Sequence, residues 1–81
     1  MSDVISDVVV KCIGEVLRID PDRIVADASL DDLGANSLRI VELAITLEDE
    51  LNLSIPDKNV MALDPVSTTV SDLIALVRRF S

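Results

Sequence analysis

The sequence has no histidine, tryptophan or tyrosine, and its only aromatic residue is Phe80. Without histidine a Ser-His-Asp triad cannot form, most catalytic zinc sites are ruled out, and no serine has an internal base to activate it. Carboxylates are plentiful, but no aromatic residues stand by to line a sugar cleft or to desolvate one of them. Cys12 is the only cysteine, which excludes an internal disulfide and a cysteine-rich metal site. Two glycines, Gly14 and Gly34, are too few for a phosphate-cradling loop. No cleavable signal and no run of roughly 20 apolar residues is present, so a cytoplasmic chain without stable membrane insertion is expected. No catalytic residue and no metal ligand set is expected.

What is present suits one small helical domain over residues 1–81. A chain of 81 residues buries only about 60 to 65% of its unfolded surface, so stability should be modest. The composition is 49% hydrophobic and 1% aromatic, which predicts a core of Val, Ile, Leu and Ala with Phe80 as the only ring. A core without large rigid anchors is expected to open slightly between helices and admit an alkyl chain. Net charge is −8, and the segment from Asp20 to Asp57 accounts for all of it, with ten acids against two bases. Such a field repels nucleic acid and anionic membranes and attracts basic protein surfaces in a salt-dependent way. A merely solubilising surface explains the charge equally well.

Apolar residues Val4, Ile5, Val8, Val9, Cys12, Ile13, Val16 and Leu17 repeat every three and four positions, which predicts a first helix over residues 3–18. Ser2 is a candidate cap, and Asp7 with Lys11 has the spacing of a helical ion pair. Cys12 falls within the stripe and reads as a small core residue. Asp20-Pro21 should stop that helix. A long connection follows to about Ala35, pinned by Ile24, Val25, Leu30 and Leu33, with one short turn at Ser29-Leu30-Asp31-Asp32. It is not a calcium loop, because Ile24 and Val25 occupy positions that need a ligand and a glycine.

A second helix is predicted from Ser37 to Leu51, with Asn36 as its N-cap. Ile40, Leu43, Ala44, Leu47 and Leu51 face the core, and Arg39, Glu42, Thr46, Asp49 and Glu50 form a polar face. Leu38, Val41 and Ile45 make a further stripe on the side of Ser37, which is either buried or exposed for interaction. Crowded carboxylates at Glu48, Asp49 and Glu50 should destabilise the helix slightly. Asn52 caps its end; Leu53, Ile55 and Val60 anchor a strand-like segment; and a short third helix spans residues 57–63 before Asp64-Pro65. Thr69-Val70-Ser71-Asp72 has the form of a capping box, and Val70, Leu73, Ile74, Val77 and Phe80 give the last helix its core face. Arg78 and Arg79 complement its dipole. The fold class is thus all-α: a small four-helix bundle of three main helices and a short third one, with a long loop between helices one and two.

A hydroxyl at the first helical position, beside unpaired amides and the positive end of the helix dipole, is suited to carrying a phosphate. Asp32-Leu33-Gly34-Ala35-Asn36-Ser37-Leu38, the amphipathic helix after it and the downstream Leu53-Ser54-Ile55-Pro56-Asp57 resemble the acyl carrier proteins of fatty acid and polyketide synthesis. The resemblance covers essentially the whole chain. It implies that Ser37 bears a covalent 4′-phosphopantetheine attached by a phosphopantetheinyl transferase, and that the arm's thiol holds acyl groups as thioesters. It also implies that Asn36, Leu38 and Gly34 support the site, Gly34 by permitting the loop's close approach.

In that family the second helix faces partner enzymes. The resemblance therefore implies docking of acyl-loading and synthase enzymes through basic patches that meet Glu42, Glu48, Asp49 and Glu50, with Leu38, Val41 and Ile45 as the apolar part. The chain itself would be a non-catalytic monomer. Three features depart from the family's usual pattern. Asn36 replaces an aspartate, Arg39 stands where an acid is usual, and the spacer from Ile55-Pro56-Asp57 to Thr69-Val70 is long. They point to a specialised carrier dedicated to one pathway. An aminoacyl or peptidyl carrier of the same fold, or an acidic helical adaptor with no prosthetic group, is the alternative.

Overall fold

A computed structural model describes residues 4–81, and the expected cap at Ser2 lies outside them. Four helices follow in order: α1 (Val4–Leu17), α2 (Ser37–Leu51), α3 (Asp57–Met61) and α4 (Val70–Phe80). Ser6 on α1 accepts from the Arg78 guanidinium near the end of α4, and Lys11 lies 3.8 Å from Glu50 near the end of α2. α1 therefore runs antiparallel to both, and the N-termini of α2 and α4 share one end of the bundle. Lys11 thus reaches across to Glu50 where the spacing on α1 suggested Asp7.

One apolar cluster holds the helices together. Val9, Cys12 and Ile13 of α1 meet Ile40, Leu43 and Leu47 of α2 and Val70, Leu73 and Val77 of α4, all buried. Phe80 is only half-buried, with the Arg79 guanidinium 5.8 Å from its ring centre, so the one aromatic ring lies at the margin of an aliphatic core. Leu76, which the expected face of α4 omitted, is buried as well.

α1 ends earlier than Asp20-Pro21 would require. Arg18 adopts a left-handed backbone with φ 58°, and the Ile19 amide donates to the Gly14 carbonyl at 3.1 Å, a reversal that closes the helix. Pro21 then packs on Gly14, where an added Cβ would come within 3.0 Å of the Ile19 carbonyl oxygen and 3.3 Å of the proline ring. Asp20 caps a separate single turn of 3-10 helix over Pro21–Arg23. α2 closes in the same way as α1, with Asn52 at φ 51° and the Leu53 amide on the Glu48 carbonyl at 3.1 Å. α3 is shorter than expected, stopping at Met61, and the segment before it forms no strand.

The connection between α1 and α2 is tied down along its length. Val70 and Ser71 amides donate to the Ala28 and Ala26 carbonyls, and Leu30 and Asp31 amides donate to those of Thr68 and Pro65, at 2.8 to 3.0 Å. An antiparallel bridge pairs Ser29 with Thr69. Leu30 and Ala35 drop fully into the core, with Ile24 and Leu33 half-buried. Val25 does not help to pin the loop: it is 53% exposed. The expected capping box of α4 is present, with Thr69 and Asp72 exchanging hydrogen bonds of 3.1 Å.

Two outcomes follow for stability. A left-handed non-glycine residue costs on the order of 1 kcal/mol, and asparagine tolerates it better than arginine. Arg18→Gly should therefore stabilise the protein by about 1 kcal/mol and Asn52→Gly by a few tenths, read from urea midpoints. The second outcome concerns Cys12, whose thiol is pushed up from 9.0 to about 11 by burial first, and then by Glu50 and Glu15. Because the folded value is the higher one, the protein keeps this stability below pH 9 and loses it as pH rises towards 11. Cys12→Ala should flatten that alkaline decline in melting temperature.

Candidate functional site

The turn that leads into α2 closes on itself. Leu33 and Ala35 amides both donate to the Leu30 carbonyl, at 3.1 and 2.9 Å, and the Gly34 amide donates to Asp31 at 2.9 Å. Ser29 Oγ accepts from the Asp32 amide at 3.1 Å. Gly34 takes φ 91°, with open space where a Cβ would stand, so glycine serves here for its backbone angle and not for the close approach expected of it. Buried Ala35 then delivers the chain to Asn36.

Asn36 caps α2 as its chemistry suggests. Its side-chain oxygen accepts from the Arg39 amide at 2.9 Å, and its carbonyl accepts from the Ile40 amide at 3.0 Å. Ser37 is the first helical residue and is exposed. The amides of Ser37 and Leu38 find no acceptor among the described residues, so two donors and the helix dipole face solvent around one hydroxyl. No His, Cys, Asp or Glu cluster able to hold a metal forms among the described residues.

Beside Ser37 lies an apolar cleft of about 300 Å³ between α2 and α3, lined by Ser37, Ile40, Val41, Val60, Met61 and Leu63. Ile40 and Val60 read from sequence as core and anchor residues. Met61 and Leu63 carried no assignment, because α3 is too short for its apolar spacing to reveal which way it faces.

The remaining candidates divide between core, surface and internal contacts. Leu38, Val41 and Ile45 are exposed, which resolves the stripe of α2 in favour of an open surface. Arg39 pairs with Glu42 at 3.1 Å. Glu48 is half-buried, and its carboxylate accepts from the Ile55 amide at 2.9 Å. Glu50 faces Lys11. Of the crowded carboxylates Glu48, Asp49 and Glu50, two meet partners, the Ile55 amide and Lys11. No described helix is long and apolar enough to cross a membrane.

Removing the cap should act locally. Asn36→Ala is expected to lower stability by about 1 kcal/mol, while Asn36→Asp keeps it, because the lost side-chain acceptor leaves the Arg39 amide unpaired. Thermal melts of the two variants measure this.

Comparison with known proteins agrees with this geometry. The family profile of the phosphopantetheine attachment site matches residues 7–77. The acyl carrier protein of Bdellovibrio bacteriovorus is 48% identical over 60 residues, covering 73% of this chain and 77% of that protein. That of Zymomonas mobilis is 45% identical over 62 residues, covering 75% of this chain and 80% of that protein. The cofactor is accordingly a covalently attached 4′-phosphopantetheine, and an exposed hydroxyl flanked by free amides and an apolar cleft fits such an arm. The chain belongs to the acyl carrier proteins, a family organised around a phosphopantetheine attachment site.

Proposed function

We propose that the phosphopantetheine is esterified to Ser37 Oγ and that this protein carries acyl intermediates between enzymes of fatty acid, polyketide or related biosynthesis. The observation that carries the reading is the placement of Ser37: exposed, first in α2, beside two unclaimed amides and at the rim of an apolar cleft. The chain has no histidine to activate that hydroxyl, and the modification belongs to a phosphopantetheinyl transferase. With coenzyme A as donor, Ser37 Oγ attacks the phosphorus that bears the pantetheine. The bond to the bridging oxygen breaks, the adenosine bisphosphate leaves, and the serine proton passes to a base of the transferase. Once attached, the group supplies a thiol that holds an acyl chain as a thioester.

The remaining chemistry is positional. The Ser37 and Leu38 amides and the positive end of α2 would hold the phosphodiester on Ser37, and neutral Asn36 would lower the charge beside it without giving up the cap. Ile40, Val41, Val60, Met61 and Leu63 offer an apolar lining to the first part of an alkyl cargo, shielding it from water. Acidic surfaces around Ser37 attract enzymes with basic docking patches. Arg39 and Asn36 set this carrier apart as one serving a dedicated pathway. It acts as a cytoplasmic monomer of one domain over residues 1–81.

Coexpression with a phosphopantetheinyl transferase should raise the intact mass by one phosphopantetheinyl group, and Ser37→Ala should abolish the rise while leaving the helical circular dichroism unchanged. An unshifted wild-type mass with several competent transferases overturns the assignment of Ser37 and favours an acidic adaptor.

A further inference from the structure

The described residues hold two sulfur atoms, in opposite settings. Cys12 is fully buried in the aliphatic core, and burial pushes its thiol up to about 11, so it stays protonated and out of reach of solutes. Met61 is the reverse case: it is the last residue of α3, it is 83% exposed, and it lines the cleft of about 300 Å³ beside Ser37. Val60 and Leu63 pack against the core and hold α3 in place without it. Met61 therefore gives apolar surface to the rim of the cleft and little to the stability of the fold. Its thioether is unbranched and flexible, which lets it lie along an alkyl chain.

Resting on the assignment of Ser37 and its cleft, we propose that Met61 is an oxidation site at which a peroxide weakens the carrier's hold on an aliphatic cargo. The thioether sulfur attacks the terminal oxygen of hydrogen peroxide or of an alkyl hydroperoxide. The sulfur–oxygen bond forms as the oxygen–oxygen bond breaks, sulfur gives up two electrons, and the proton of the transferred hydroxyl passes to the leaving oxygen, which departs as water or an alcohol. A loaded carrier has no free arm thiol to compete, because the acyl group caps it as a thioester. The sulfoxide is polar and keeps its oxygen hydrated, so the rim that shielded an alkyl chain admits water beside Val41 and Leu63. Chains long enough to enter the cleft feel the change, and an acetyl group does not. Methionine sulfoxide reductases return the thioether, which makes the switch reversible.

The test uses the full chain, loaded from octanoyl or acetyl coenzyme A by a purified phosphopantetheinyl transferase, treated with dilute hydrogen peroxide and then freed of it. Peptide mapping should place the added oxygen on Met61 and not on Cys12, and the melting temperature should stay within about 2 °C of the untreated protein. The oxidised octanoyl form should lose its thioester to hydroxylamine about three-fold faster than the untreated one, with the acetyl form unchanged. Methionine sulfoxide reductases should restore the slow rate. Met61→Leu should make the octanoyl form insensitive to peroxide, which separates this site from Met1, and Met61→Gln should be fast without peroxide. A Met61 that stays unoxidised, an octanoyl rate that the sulfoxide leaves unchanged, or an acetyl form accelerated by the same factor overturns the inference while leaving Ser37 as the attachment point. A wild-type chain that no transferase loads overturns both.

Discussion

The structure depends on the burial of Leu30 within a connection that has no regular structure of its own. Its side chain is fully enclosed by the helices, and its amide and carbonyl are both satisfied, by Thr68 and by the turn amides of Leu33 and Ala35. A buried loop residue is tolerated only when its backbone polar groups find partners. Here the segment before α4 supplies them. Because Leu30 is held, Ala35 is held five residues later, and Asn36 reaches the start of α2 at an angle that lets its side chain meet the Arg39 amide. The exposure of Ser37 is the end of that chain of constraints.

The charge distribution has a matching logic. α2 and α4 run parallel and direct their positive ends to the side of the bundle where the acidic connection lies. Asp72 in the first turn of α4 accepts from the Thr69 amide, while Asp31 and Asp32 on the connection are exposed. Farther along α2, the protein compensates its carboxylates one by one, through Arg39, the Ile55 amide and Lys11.

Much of this was legible in the residues. The three- and four-residue spacing of apolar positions marks α1, α2 and α4, and α2 begins and ends where Asn36 and Asn52 suggest, since short polar side chains serve both ends of a helix. Cys12 lies in the core as its place in the stripe requires. The end of α1 was not legible: proline at position 21 signals a stop, but the actual reversal uses Arg18 in a left-handed conformation that arginine does not advertise. Nor was the role of Gly34, whose positive φ belongs to a turn closed by Leu30 and not to any neighbour pressed against it. Lys11 shows the same limit, because a local partner at Asp7 was available and a more distant one prevailed.

Local physics, written in single side chains and short spacings, by itself determined four helices, an aliphatic core and a hydroxyl at a capped helix start in a chain without histidine. Tertiary structure alone decided that the connection is fastened to the start of α4, that α3 leaves an apolar cleft beside Ser37, and that three of the four carboxylates on α2 are compensated. Those outcomes join residues far apart in the chain, and whether a given amide, cation or apolar side chain finds its partner depends on how the helices pack and not on the residues that flank it.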